Sequence, residues 1–267
     1  MGTSVSRSEW RWLMAVSLAV LFLSSLPVIY AWSLEGPDRV FIGSVCNVED
    51  INSYLGKMRL GARGEWLFYL FYTPEPHEPM LAYPFHMLLG RLATSVGLAL
   101  PLAYHLARIF FGLGLLVSVY VFVAHFTSDV APRRLAWFLC AVGSGLGWLL
   151  VVLGAVPWLG SLPLDFILPE AYIFLVVFLL PHLALAESLL LWTILCTLLS
   201  MEKDRRWIIA AACTSFAMVW LVPFYAGILA TVLGAYIVAI ALRRRSVPCR
   251  EIGLVAVTGL GALPPTL

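Results

Sequence analysis

The sequence predicts an all-α fold: a polytopic transmembrane helical bundle with a long first external loop that carries short amphipathic helices. Three observations predict it. Of 267 residues, 61% are hydrophobic and 12% are charged, against roughly 45–50% and 25% in soluble domains. The apolar residues gather in runs that reach about 20 residues or more, the length that crosses a hydrocarbon core of about 30 Å. Lys and Arg gather between the runs: Arg7 with Arg11, Arg133 with Arg134, Lys203 with Arg205 and Arg206, and Arg243, Arg244 and Arg245 with Arg250. Short cytoplasmic loops are enriched in these residues, so all of these clusters are assigned to the cytoplasm.

The elements follow in order. The run 12–32 comes after Arg7 and Arg11 and ends near Ile29-Tyr30-Ala31, which invites comparison with a signal peptide. It is longer than the roughly 7–15 residues of a signal core, so it is read as an uncleaved first span with a cytoplasmic N-terminus. The external loop covers 34–79, and Met80 to Leu100 lies at or in the outer leaflet. Span 102–126 returns to Arg133 and Arg134, span 135–156 leads out to a short loop with Asp165 and Glu170, and span 172–200 comes back. The stretch 207–242 begins and ends at basic clusters and has Pro223 near its middle. Proline breaks a helix there, so the stretch is read as a helical hairpin. The run 252–267 is an incomplete last span, which suggests a chain truncated inside it. The whole is one transmembrane domain of a multi-pass protein in the plasma or inner membrane.

Composition and motifs exclude several classes. A net charge of +2 does not suit nucleic acid as a partner, and Cys46, Cys140, Cys196, Cys213 and Cys249 are scattered, implying neither a disulfide framework nor a zinc site. No H-E-x-x-H, G-x-S-x-G or G-K-[ST] occurs. Gly143 and Gly147, four apart inside an apolar run, are read as small-residue helix packing.

The candidate functional residues lie in the first loop and at the outer ends of the spans. Glu49 to Leu60 suits a short helix with Asn47 as its N-cap and Glu49 and Asp50 in the first turn, where the helix dipole favours carboxylates. On it Asp50 and Tyr54, four apart, share a face. The acid pair is either solvated loop charge or a general base or metal ligand. Trp66 to Tyr72 is aromatic, as at a headgroup boundary, and Pro74, Pro76 and Pro79 hold His77 and Glu78 in a rigid turn beside it. Arg108, three residues after His105, either snorkels to headgroups or holds a phosphate. Pro181 interrupts the fourth span, and His182 beside it either satisfies the carbonyl that the proline frees or contacts substrate or metal.

This arrangement resembles the multi-spanning glycosyltransferases of the GT-C fold, such as protein mannosyltransferases and lipid A aminoarabinose transferases. Glu49-Asp50-Ile51-Asn52-Ser53-Tyr54 is similar to the family's loop acid followed by a tyrosine. Pro76-His77-Glu78-Pro79 followed by Leu81-Ala82-Tyr83-Pro84 is similar to its proline element, and Ala107-Arg108 to the start of its second span. The hairpin around Pro223 is similar to the family's short hairpin. The resemblance covers nearly the whole chain at the level of topology. It implies transfer of a sugar from a polyprenyl-phosphate donor to an acceptor at the external face, with Asp50 or Glu49 as the base. It also implies that Arg108 and His77 hold the donor phosphate and that Asp165 or Glu170 orients the acceptor or a metal; Tyr54 and Glu78, in the matching elements, are counted with the substrate site, whereas Pro181-His182 has no counterpart in the family pattern and His182 is a substrate contact on its own reading only. A divalent cation, if used, would sit on Asp50, Asp165 or Glu170. Two other classes compete: a transporter whose path is lined by Arg108, His182 and Glu187, and a non-catalytic membrane scaffold.

Overall fold

The protein is described by a computed structural model that covers residues 5–70, 73–143 and 145–262, the side chains of Val156 and Leu159 excepted. Among these residues the regular structure is helical. The helices are α1 (Arg7–Ser33), α2 (Val48–Ala62), α3 (Pro84–Ser95), α4 (Leu100–Phe126), α5 (Val130–Val142), α6 (Gly147–Val152), α7 (Val156–Leu159) and α8 (Leu164–Ile167). After a 3₁₀ turn at Pro169–Ala171 follow α9 (Ile173–Leu179), α10 (Pro181–Glu202), α11 (Trp207–Leu221), α12 (Tyr225–Arg244) and α13 (Cys249–Gly261). Helices α1, α4, α10 and α12 are long and apolar enough to cross a membrane. The helices group into two units, Met1–Ala184 and Leu185–Leu267, where the sequence predicts one domain.

In the first unit, α1 begins with a reciprocal cap. The Glu9 N–H donates to Ser6 Oγ at 3.3 Å and the Ser6 N–H donates to Glu9 Oε2 at 2.8 Å, which satisfies two amides that a helix start leaves open. Glu9 Oε1 also accepts from Tyr120 on α4 at 2.7 Å and from Arg133 on α5 at 2.8 Å. This carboxylate is 3% exposed. Cap, ion pair and tyrosine together pin the first turn of α1 to two other helices. Around them Trp12 meets Trp137 edge-on at 5.4 Å, and the Trp137 indole donates to the Leu116 carbonyl at 2.8 Å.

Two predicted spans come apart. The run 135–156 is not one helix: α5 stops at Val142, Gly143 is extended at φ −64, ψ 128, and the chain restarts at Gly147. The cause lies 18 residues on. The Gly147 N–H donates to Asp165 Oδ2 at 2.9 Å, and a Cβ at Gly147 would collide with the same carboxylate. Gly143 and Gly147 are therefore a helix end and a carboxylate cradle, not the helix-packing pair the sequence suggested.

The run 172–200 breaks at Leu180, extended at φ −126, ψ 89 before Pro181, as a residue preceding proline prefers. Proline has no N–H for the carbonyl four residues back, here Val177. Arg108 Nη1 donates to that carbonyl at 3.0 Å, and the Tyr104 hydroxyl donates to the neighbouring Leu179 carbonyl at 2.8 Å. The expected partner, His182, does not take this part.

Helices α2 and α3 carry the first loop. They cross in backbone contact: a Cβ at Gly61 would collide with the Met87 carbonyl, and one at Gly90 with the Met58 carbonyl. Asn47 precedes α2 as expected, but it is left-handed (φ 51, ψ 43) and its side chain makes no cap bond. The aromatic segment that follows is tied back by a two-way backbone pair, with the Phe68 N–H donating to Met80 O at 2.7 Å and the Met80 N–H to Phe68 O at 3.0 Å. Phe68 is buried, while Trp66, Leu67, Tyr69 and Leu70 are exposed. Phe71 and Tyr72 lie outside the described residues, as do residues 263–267 at the end of the expected last span.

In the second unit the hairpin is present: α11 and α12 are separated by Val222, Pro223 and Phe224. Helix α13 packs on α11 closely enough that a Cβ at Gly261 would press on the Ala212 carbonyl. Hydroxyl pairs join helices across the unit, Thr193 with Thr214 at 2.9 Å and Thr197 with Thr258 at 3.1 Å. Such pairs, and small residues at close crossings, hold apolar helices together where hydrophobic burial gives no preference. Glu187 accepts from the Tyr225 hydroxyl at 3.3 Å.

Candidate functional site

The site is built on α2, α3 and the head of α10. Asp50, Tyr54, Lys57 and Gly61 fall on one stripe of α2, at spacings of three to four residues. On α3, His86 lies one turn before Gly90. Because the two glycines let the helices touch, the stripes meet. The Tyr54 ring lies parallel to His86 with centroids 4.5 Å apart and an interplanar angle of 8°. His182, next to the helix break at Pro181, meets Tyr54 edge-on at 4.8 Å and His86 at 4.7 Å. Lys57 Nζ lies 4.9 Å from the Tyr54 centroid, 3.6 Å from that of Tyr83 and 5.8 Å from that of Phe68.

The electrostatics follow from burial. His86 is 2% exposed, and neither of its ring nitrogens has a hydrogen-bond partner among the described residues. Burial above all, then the neighbouring His182 and Lys57, pushes its imidazole well below the usual histidine value. Lys57 is 6% exposed and is drawn down by burial, with Asp50 acting against this. Burial, then the charges of Asp50 and Glu170 and the nearby Tyr83, pushes the Tyr54 hydroxyl up to about 12. The first loop acid and Glu170, far apart in sequence, thus both act on one tyrosine.

The predicted residues divide into two groups. Tyr54 and His182 meet in ring contact, and the charges of Asp50 and Glu170 act on Tyr54. Glu49 and Glu78 are exposed, and Glu49 is not among the charges acting on Tyr54 or Lys57. His77 is committed to its own loop: its Nε2 accepts from the Leu70 N–H at 2.9 Å, its Nδ1–H donates to Glu75 O at 3.0 Å, and Tyr69 stacks on it at 4.4 Å. Arg108 is neither snorkelling nor open to a phosphate. It is 1% exposed and donates to His105 Nδ1, Ser24 Oγ, Val177 O and Ser25 Oγ at 3.3, 3.2, 3.0 and 2.8 Å. Asp165 holds the start of α6.

Lys57 and His86 were not singled out from the sequence. Lys57 is legible afterwards, seven residues after Asp50 on the same helical stripe, and His86 follows the Tyr83-Pro84 element by two positions. The implied divalent cation does not fit the donors present. Among the described residues no three of His, Cys, Asp and Glu are arranged to hold a metal ion, and Asp165 is already engaged.

Fold and composition thus define an all-α protein with helices suited to span a membrane and, on α2, α3 and the head of α10, a polar cluster. No protein-family model, no curated protein and no solved structure matches the chain.

Proposed function

We propose that the protein is a membrane glycosyltransferase that moves a sugar from a polyprenyl-phosphate carrier to an acceptor at the face opposite its N-terminus, with Asp50 as the base. The observation that carries this is the position of Asp50, an exposed carboxylate on the α2 stripe whose charge acts on half-buried Tyr54 and buried Lys57. In the transfer step the acceptor oxygen bonds to the anomeric carbon, the bond from that carbon to the phosphate oxygen breaks, and the acceptor proton passes to Asp50. The phosphate leaves on the carrier. Glu170, whose charge also acts on Tyr54, orients the acceptor.

A lipid-linked donor is supported by an apolar cleft of about 340 Å³ lined by α3 and α4, among them Leu92, Val96, Leu106, Phe110 and Phe111. Phe111, one of its lining residues, meets Phe85 at 5.4 Å between ring centroids, and Phe85 meets His86 at 5.2 Å. A hydrocarbon chain in this cleft would bring its polar end toward the cluster.

The test uses membranes containing the chain and labelled polyprenyl-phosphate hexoses and pentoses. Wild type is expected to transfer label, Glu49→Gln to retain transfer, and Asp50→Asn to lose roughly 10²–10⁴-fold, the usual range for a general base. Equal transfer by Asp50→Asn would remove the carboxylate from the mechanism. Label accumulating inside vesicles without transfer would favour transport instead.

A further inference from the structure

We infer that Lys57, His86 and His182, gathered around the Tyr54 ring, form a binding site for the oxygens of a phosphate group. The residues come from three separated stretches of chain: α2, α3 and the first turn of α10. Their charged or polar groups centre on one ring, with His86, His182 and Lys57 Nζ at 4.5, 4.8 and 4.9 Å from the Tyr54 centroid.

What marks the cluster is missing partners. Among the described residues, both nitrogens of His86 and Nδ1 of His182 are buried without a hydrogen bond. Buried polar atoms are nearly always paired, and each unpaired one costs roughly 1–3 kcal/mol. Three such atoms on two touching rings therefore point to an occupant. Lys57 adds an ammonium group that, among the described residues, makes no ion pair and lies over the rings of Tyr54, Phe68 and Tyr83.

The chemistry of these groups selects the occupant. Each imidazole offers one N–H donor and one acceptor nitrogen when neutral and two N–H when protonated, and the ammonium offers three N–H and no acceptor. Donors outnumber acceptors and the ammonium adds positive charge, so the complement is an oxyanion, and one with a protonated oxygen, as phosphate has and sulfate lacks, also meets an acceptor nitrogen. A phosphate presents several oxygens to donors arriving from different directions, and lysine serves such groups as a point charge. His77 and Arg108, which the sequence assigned to the donor phosphate, have their donors committed elsewhere, whereas these three side chains do not. Identifying the phosphate with the headgroup of the lipid donor rests on the transfer reading above; the anion site itself rests on the three side chains.

The test is equilibrium binding to the whole chain, purified in phosphate-free detergent micelles. The probes are inorganic phosphate, farnesyl phosphate and, as a control anion, sulfate. Wild type, Lys57→Met, His86→Gln and His182→Gln are compared, with thermal unfolding of each confirming that it folds. In a parallel measurement, nitrogen-15 shifts of labelled histidines are followed as phosphate is added to wild type.

The expected result is saturable one-to-one phosphate binding that weakens about tenfold or more in each folded variant, the loss of one charge-assisted hydrogen bond. His86 and His182 should be the histidines whose shifts move. Tighter binding of farnesyl phosphate than of inorganic phosphate assigns the site to a lipid headgroup, and equal binding assigns it to free phosphate. No binding to wild type, binding unchanged in folded Lys57→Met and His86→Gln, or sulfate bound as well as phosphate would overturn the site. Phosphate binding lost in the variants, from a wild type that transfers no sugar, would sink the transfer reading alone. Sugar transfer that survives Lys57→Met and His86→Gln would overturn the identification of the bound phosphate with the donor headgroup.

Discussion

Arg108 and Lys57 are cations buried in the same unit, and their surroundings differ. Arg108 directs four hydrogen bonds to α1, α9 and its own helix, one of them to the carbonyl that Pro181 leaves open. Lys57 makes none among the described residues and rests against aromatic rings. The same contrast separates Glu9, which accepts from Ser6, Tyr120 and Arg133, from His86, which has no partner at either nitrogen. Closed polar networks hold helices in register; an open one leaves donors for something else. Burial alone does not distinguish them, since all four residues are nearly inaccessible.

The largest effect should come from opening a closed network. Glu9→Ala leaves Arg133 buried without its carboxylate, and removing one partner of a buried pair costs about 3–5 kcal/mol. Thermal unfolding in micelles should show a large drop in midpoint for Glu9→Ala and only a small one for Lys57→Met. Equal drops would erase the distinction between the two regions.

A smaller effect should follow at the crossing of α2 and α3. Gly61→Ala and Gly90→Ala each force a methyl group against a facing carbonyl, a form of overpacking that costs about 1–3 kcal/mol. Because the crossing is what lays Tyr54 on His86, these variants should also weaken phosphate binding without touching any donor. Retained binding would mean that the ring stack does not depend on the glycines.

The smallest effect should be on the pH dependence of stability. His86 has a folded-state value well below 6.5, so as pH falls below 6.5 the unfolded chain takes up a proton that the folded chain refuses. Stability is therefore lost as pH falls through that window, down to the folded-state value. In phosphate-free buffer, His86→Gln should flatten the pH profile of the unfolding midpoint between about 6.5 and 5 relative to wild type. Superimposable profiles would show that the imidazole is not held neutral by its surroundings.

The sequence conveyed the long helices and the proline breaks well, because hydropathy and the missing proline N–H act locally. Pro181 and Pro223 mark interruptions wherever they are read. Gly143 and Gly147 were misleading because glycine at four-residue spacing serves both a helix contact and a helix end, and Asp165, which decides between them, lies in another segment. Arg108 illustrates the same limit: its task is set by a proline 73 positions later and by Ser24 and Ser25 on α1. On the α2 stripe, Asp50 and Tyr54 were legible from helical spacing. His86 was not, since nothing local separates it from an ordinary histidine on an amphipathic helix until the α2–α3 crossing brings it onto Tyr54.

The central claim is that the open cluster works and the closed ones hold. Sugar transfer per folded molecule, compared between His182→Gln and His77→Gln, tests it most directly, since both histidines stand out in the sequence and only one joins the cluster. The account predicts that His182→Gln loses on the order of tenfold or more, as when a donor to a reacting group is removed, while His77→Gln stays near wild type. Transfer lost in His77→Gln and retained in His182→Gln would contradict it.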